Sequence, residues 1–386
     1  MAKKIRISLL GWVAIAIVAG ILLGQILPVP VARIFVTFNS LFGNFLSFAI
    51  PLIIIGLVAP AIGEFGKGAG RLLVITALIA YGSTLFSGFM TYFSGAAVLP
   101  HIIDSQNVTA IENPENFMLK PFFIVEMPPL MDIMTSLLLS FILGLGISSI
   151  KGYTLRAFFA DFRDIVTKLI ESVIIPLLPL HIFGIFLNIT ASGQIAVIIM
   201  TFLKVIVFIF VLHIALLLIQ FTIAGIISEK NPFVMLKNMI PAYLTALGTQ
   251  SSAATIPVTL KQVLKNGVRE HIAVFTVPLC ATIHLAGSTL KIVACAMAIM
   301  LMMGSPVDLS LFGGFIFMLG IIMVAAPGVP GGAIMASLGL LSSMLGFNET
   351  LLGLMIALYI AMDSFGTACN VTGDGAIAVV ITRIAK

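Results

Sequence analysis

Asp363-Ser-Phe-Gly-Thr-Ala-Cys-Asn-Val-Thr-Gly-Asp374 lies inside an apolar stretch that runs from 350 to 382. Asp363, Thr367, Asn370 and Asp374 stand at offsets of 0, 4, 7 and 11, which at about 100° per residue gathers them within roughly 60° of one helix face. Two carboxylates inside a membrane span are costly unless they meet a cation, a donor or water. A purely structural polar seam would need basic partners on a neighbouring helix. One exists in the preceding span: Lys291, aligned with His284 at an offset of 7 and close to Ser288. An ammonium there is too costly to leave unpaired, so Lys291 is expected to contact Asp374 or Asp363, to receive a carboxylate from a solute, or to snorkel to an interface. The stripe itself reads as a binding site for a solute or an ion.

The rest of the chain supplies the membrane. Only 9% of the 386 residues are charged and 60% are hydrophobic, with a mean hydropathy of +1.21, a balance outside the range of water-soluble domains. Apolar stretches of at least about 18 residues fall near 8–28, 35–60, 73–97, 122–150, 166–190, 195–228, 271–303 and 350–382. The first reads as an uncleaved span, because Lys3, Lys4 and Arg6 precede an apolar run without a clear small-residue cleavage site. Of the 20 Lys and Arg, 16 fall on one side if the N-terminus is cytoplasmic, among them Lys67, Arg71, Arg163, Lys237, Arg269 and Lys386. Arg33 and Lys120 fall outside, and Lys204 and Lys291 lie within apolar segments. Both termini are then cytoplasmic, which puts an even number of spans in an inner membrane. The cytoplasmic loops account for the net charge of +5, and no nucleic-acid partner is implied. Cys280, Cys295 and Cys369 are scattered in apolar sequence, which gives no metal or redox pairing and no cofactor. The one long polar excursion is the loop at 98–120, with Asn107, Asn113 and Asn116.

Two further apolar segments, 232–262 and 310–347, are interrupted. Thr245-Ala-Leu-Gly-Thr-Gln-Ser-Ser-Ala-Ala-Thr-Ile-Pro257 places hydroxyls, an amide and glycine in the first, and Ala326-Pro-Gly-Val-Pro-Gly-Gly-Ala333 breaks the second. The topology requires each to enter and leave by one face, as a re-entrant hairpin. Irregular backbone survives at membrane depth only where it is buried in protein or lines a polar cavity. Hairpin followed by span occurs twice, and paired interruptions of this kind mark the binding site of an inverted-repeat transporter. The fold class is therefore an all-α polytopic membrane protein with eight transmembrane helices and two re-entrant helical hairpins. An ion channel would explain intramembrane carboxylates but not two dissimilar hairpins. An intramembrane hydrolase would explain Ser251, Ser252 and His284, yet no GxSxG or HExxH occurs.

At these residues the chain resembles the dicarboxylate/amino acid:cation symporter family, which includes glutamate and aspartate transporters. Gln250-Ser-Ser-Ala-Ala-Thr-Ile-Pro-Val-Thr259 is similar to the tip of that family's first hairpin, Gly328-Val-Pro-Gly331 to the second, and 363–374 to its final helix. An archaeal member of the family is a standard example of inverted repeats. The resemblance implies a secondary transporter of an amino acid or dicarboxylate, working by an elevator-like movement with a coupled Na+ or H+, and no enzyme. It implies a homotrimer in lipid, with 1–228 a six-span region that is mainly scaffold, spans 3 and 6 joining the transport domain, and 229–386 the transport core. It also implies that Asp363 binds a substrate ammonium, that Thr367, Asn370 and Ser288 bind its other polar atoms, and that Ser251, Ser252, Val329 and Gly331 close over it. A cation, sodium by the same resemblance, would be held by Asp374 with carbonyls near Cys280, His284 and Asn370.

Where the family usually reads Asn-Met-Asp-Gly-Thr, this chain has His284-Leu-Ala-Gly-Ser288, so a cation-binding carboxylate becomes Ala286. Met323 and Ala326 stand at hydroxyl positions of another sodium site, and Gly366 replaces the arginine of acidic-substrate members. Lys291 is then either a tethered substitute for a lost sodium ion or a replacement for that arginine. At most one sodium ion is expected.

Overall fold

The computed structural model describes residues 9–64, 71–103, 119–191, 193, 195–327 and 330–384, and their regular structure is helical. Lys3, Lys4, Arg6, Lys67, Lys386, Asn107, Asn113, Asn116, Gly328 and Val329, all singled out above, lie outside the described residues.

The first half comprises α1 (Leu9–Gly24), α2 (Val29–Glu64), α3 (Arg71–Ile102), α4 (Ile133–Ser149), α5 (Thr154–Leu169), α6 (Ile175–Ala191) and α7 (Ile195–Ser228). A π-turn over Ile170–Ile174 joins α5 to α6. The second half comprises α8 (Pro232–Thr249), α9 (Ser252–Lys265), α10 (Glu270–Ile283), α11 (Ala286–Met302), α12 (Leu309–Ala325), α13 (Gly332–Leu345), α14 (Glu349–Ala361) and α15 (Asp363–Ile384). Among the described residues, six helical stretches are long and apolar enough to cross a membrane: Val29–Gly63, Arg71–Ile102, Thr154–Ala191, Ile198–Ser228, Glu270–Met302 and Asp363–Ile384. The outer faces are apolar as lipid requires, with Leu203, Val207, Val211, Ile214 and Leu218 exposed along α7.

The expected span at 122–150 is corrected: its helix begins only at Ile133, and 119–132 is irregular. Pro121, Pro128 and Pro129 remove backbone donors there. Side chains of α2 and α6 pair the polar backbone that helix would otherwise satisfy. Arg33 Nε donates to the Lys120 carbonyl at 3.0 Å, Asn44 Nδ2 to the Val125 carbonyl at 2.7 Å, and the Leu119 N–H to Asn188 Oδ1 at 3.0 Å. Hydropathy measures composition, and an apolar segment whose backbone is paired from outside need not coil.

Both interrupted segments form helical hairpins. Asn231 caps α8 by accepting from the N–H groups of Phe233 and Val234, with Pro232 at the first helical position. That helix ends where Gln250 turns left-handed at φ 54°, and Ser251 caps α9 by accepting from the Ala254 N–H at 3.3 Å. The irregular tip is thus only Gln250–Ser251, shorter than the polar stretch suggested. In the second hairpin α12 ends at Ala325, and Gly331, at φ 74°, starts α13; a Cβ on Gly332 would run into the Pro327 carbonyl.

The two final spans are each broken once. His284 and Leu285 leave helical geometry between α10 and α11, and Met362 separates α14 from α15. Every residue of α11 except Leu301 is buried. Helix α15 is enclosed by α7, α8, α9, α10 and α11, while α3 lies along α11 and α12. Elsewhere α2 packs on α4 and α5, and α1 on α6.

Candidate functional site

Asp363 is the first residue of α15, at the break after Met362, where free N–H groups and the helix dipole favour a carboxylate. It is 5% exposed. Its Oδ2 accepts the Gly331 N–H at 2.8 Å, tying the second hairpin tip to the final helix. Its Oδ1 lies 3.1 Å from Lys291 Nζ. The neighbouring Ser364 Oγ accepts from Gln250 Nε2 of the first hairpin tip at 2.8 Å. Both tips therefore converge on the first turn of α15.

Lys291 does not snorkel; its side chain is fully buried. Its ammonium also donates to the Met362 carbonyl at 3.4 Å and sits 3.6 Å from the centre of the Tyr359 ring, a cation–π contact. Of the partners weighed for it, the structure selects Asp363 rather than Asp374. Gly366 is what makes this fit, because a Cβ there would overlap the Lys291 side chain. An arginine at position 366 and this lysine could not occupy the site together.

Below this pair, Ser288 and Asn370 join the broken span to the stripe. Tyr359 Oη donates to Ser288 Oγ at 3.1 Å, and Asn370 Nδ2 donates to the same oxygen at 3.0 Å. Asn370 Oδ1 accepts the Gly287 N–H at 2.7 Å and the Ser288 N–H at 3.3 Å. That satisfies donors freed where α11 begins. Thr367, 7% exposed, completes the face.

Asp374, 1% exposed, meets His284 of the broken span: Nδ1 lies 2.8 Å from Oδ1. The other ring nitrogen lies 3.0 Å from Ser83 Oγ of α3, and Gln220 Nε2 of α7 donates to that hydroxyl at 3.0 Å. The resemblance implies a role for the His284 carbonyl; the contact with Asp374 is made by its ring. Ser251 and Ser252 sit at the start of α9, and Cys280 is buried at the end of α10. Tyr359, Ser83 and Gln220 were not singled out from sequence, since each lies in an apolar helix without local peculiarity.

The profile of the sodium:dicarboxylate symporter family matches residues 9–384. The chain belongs to that family. Serine/threonine transporter SstT of Acinetobacter baumannii (strain AYE) is 26% identical over 395 residues, covering 96% of this chain and 95% of the relative. Excitatory amino acid transporter 5 of Mus musculus is 31% identical over 162 residues, 42% of this chain but only 29% of the relative's length. Excitatory amino acid transporter 2 of Homo sapiens is 30% identical over 166 residues, 42% of this chain and 28% of that protein. The resemblance read from the hairpin tips and the final helix is thus confirmed at the level of the family, whose members found here are transporters and not enzymes.

Proposed function

We propose that this protein is a secondary transporter of a small carboxylate-bearing solute, an amino acid or a dicarboxylate, across the inner membrane. The observation that carries this reading is the convergence of both hairpin tips on the first turn of α15, through Gln250 to Ser364 and Gly331 to Asp363, directly over the buried Lys291–Asp363 pair. A site lidded by two short tips opens when a tip lifts, at the cost of only a few hydrogen bonds.

When the Gly331 tip lifts, Asp363 Oδ2 loses its donor and the pair becomes reachable. A solute carboxylate then bonds Lys291, and an ammonium, where the solute has one, takes Asp363. Ser288, Thr367 and Asn370 line the same face. The serine/threonine and excitatory amino acid transporters among the relatives support a solute of this size and polarity.

The proposed topology is eight spans with re-entrant hairpins at α8–α9 and α12–α13, and cytoplasmic termini. α8 to α15, with α3 and α7 packed on α11 and α15, move as the transport domain against a scaffold that forms a homotrimer in lipid. Cation coupling is part of the reading.

The test is solute counterflow into proteoliposomes across a panel of amino acids and dicarboxylates, with sodium and proton gradients imposed separately. Uptake of labelled solute that accelerates when unlabelled solute is preloaded supports a carrier. Flux that is linear in gradient and shows no counterflow would mean a channel.

A further inference from the structure

We infer that this protein, if it is the carrier proposed above, moves its solute without a sodium ion, because Lys291 and His284 already occupy the two carboxylates that such a cycle would leave for substrate and ion. A sodium ion is a hard cation that needs a cage of oxygen ligands. Among the described residues, Gln220 Oε1 is buried beside the His284 ring without a hydrogen-bond partner, but it does not make such a cage by itself.

Asp374 Oδ1 is taken by the His284 ring at 2.8 Å. Four backbone oxygens of the broken span, natural remaining ligands, are engaged by protein donors. The Cys280 carbonyl takes the His284 N–H at 2.9 Å, and the Leu285 carbonyl the Thr289 N–H at 2.9 Å. The Ala286 carbonyl takes the Ser87 hydroxyl at 2.6 Å, and the Gly287 carbonyl lies 3.1 Å from His213 Nε2. Asn370 Oδ1 accepts two N–H groups. Ala286, Met323 and Ala326 are buried with no oxygen in their side chains.

A second observation, independent of hydrogen bonding, points the same way. Gly366 and Gly373 stand seven residues apart on α15, on the face that meets the broken span. A Cβ on Gly366 would overlap Lys291, and one on Gly373 would come within 2.9 Å of the His284 ring and 2.7 Å of Gln220 Oε1. Each is closer than packed carbons tolerate. The final helix is therefore relieved of a side chain near both carboxylates, beside Lys291 at one and beside Gln220 and the His284 ring at the other. A mobile ion needs no such clearance.

The test uses the purified full chain in two ways. In the first, thermal unfolding is followed in sodium chloride and in choline chloride of equal ionic strength; the expected result is the same Tm in both. In the second, counterflow is measured with sodium replaced by choline on both sides; the expected rate changes by less than about twofold, whereas a coupled ion that sets solute affinity shifts it by about tenfold or more. A sodium-specific rise in Tm, or uptake that collapses in choline, overturns the inference. Should counterflow be missing in both salts, the transporter reading fails, and the thermal comparison still decides whether a sodium site exists.

Discussion

Replacing Lys291 with methionine keeps most of the volume and the aliphatic stem but removes the charge. In the folded protein Asp363 then keeps the Gly331 N–H at 2.8 Å, while its carboxylate stays 5% exposed and loses the ammonium at 3.1 Å. Breaking a buried pair by deleting one partner costs about 3–5 kcal/mol, because the surviving charge is left without compensation. Replacing both charges removes the uncompensated group. Asp363→Asn in the Lys291→Met background should therefore recover most of that loss, giving a coupling energy of about 2–3 kcal/mol between two side chains in contact. The assay is reversible unfolding in mixed micelles with rising dodecyl sulfate, run on the wild type, both single variants and the double variant. Additive single effects, or a Lys291→Met cost below about 1 kcal/mol, would refute the view that this pair is a desolvated unit. The same variants read function: Lys291→Met should abolish binding of dicarboxylates, and unchanged transport with unchanged ion dependence would remove Lys291 from the site altogether.

Gly366→Ala pushes a methyl group into the Lys291 side chain and should destabilise by about 1–3 kcal/mol; Lys291→Ala in the same chain should relieve it, as Tm in detergent will show. Gly331→Ala places a side chain at φ 74°, a left-handed conformation that costs about 1–2 kcal/mol for other residues, so the second tip should close less readily and solute Kd should rise about tenfold. His284→Asn removes the ring from Asp374 while leaving a polar side chain. It should turn the wild type's indifference to sodium into a sodium-specific rise in Tm, and a variant as indifferent as the parent would show that the ring is not what excludes the ion.

Much of the site is written in single segments of sequence. The stripe of Asp363, Thr367, Asn370 and Asp374 follows from helical periodicity, and it survives intact in α15. The two tips follow from glycine, proline and hydroxyl residues in apolar runs, since only such residues let backbone break inside a membrane. The cost of a buried ammonium leaves Lys291 four fates in the sequence alone: either of two aspartates, a solute carboxylate, or an interface to which it snorkels. These features are local: a period, a composition, a charge in the wrong medium.

What the sequence leaves open is where side chains meet across large separations. Asp363 rather than Asp374 receives Lys291 because α15 starts beside the end of α14 and Gly366 leaves room for the stem. His284 reaches Asp374 with its ring, and Ser83 and Gln220 complete that chain, only because α3, α7 and the broken span pack around α15. The same holds for 119–132, where apolar composition predicts a span and polar side chains of α2 and α6, some 70 to 88 residues away, hold irregular chain instead. Hydropathy and spacing fix which residues must avoid lipid and which must find partners; the choice of partner depends on how the helices pack, and that is decided only in the folded protein.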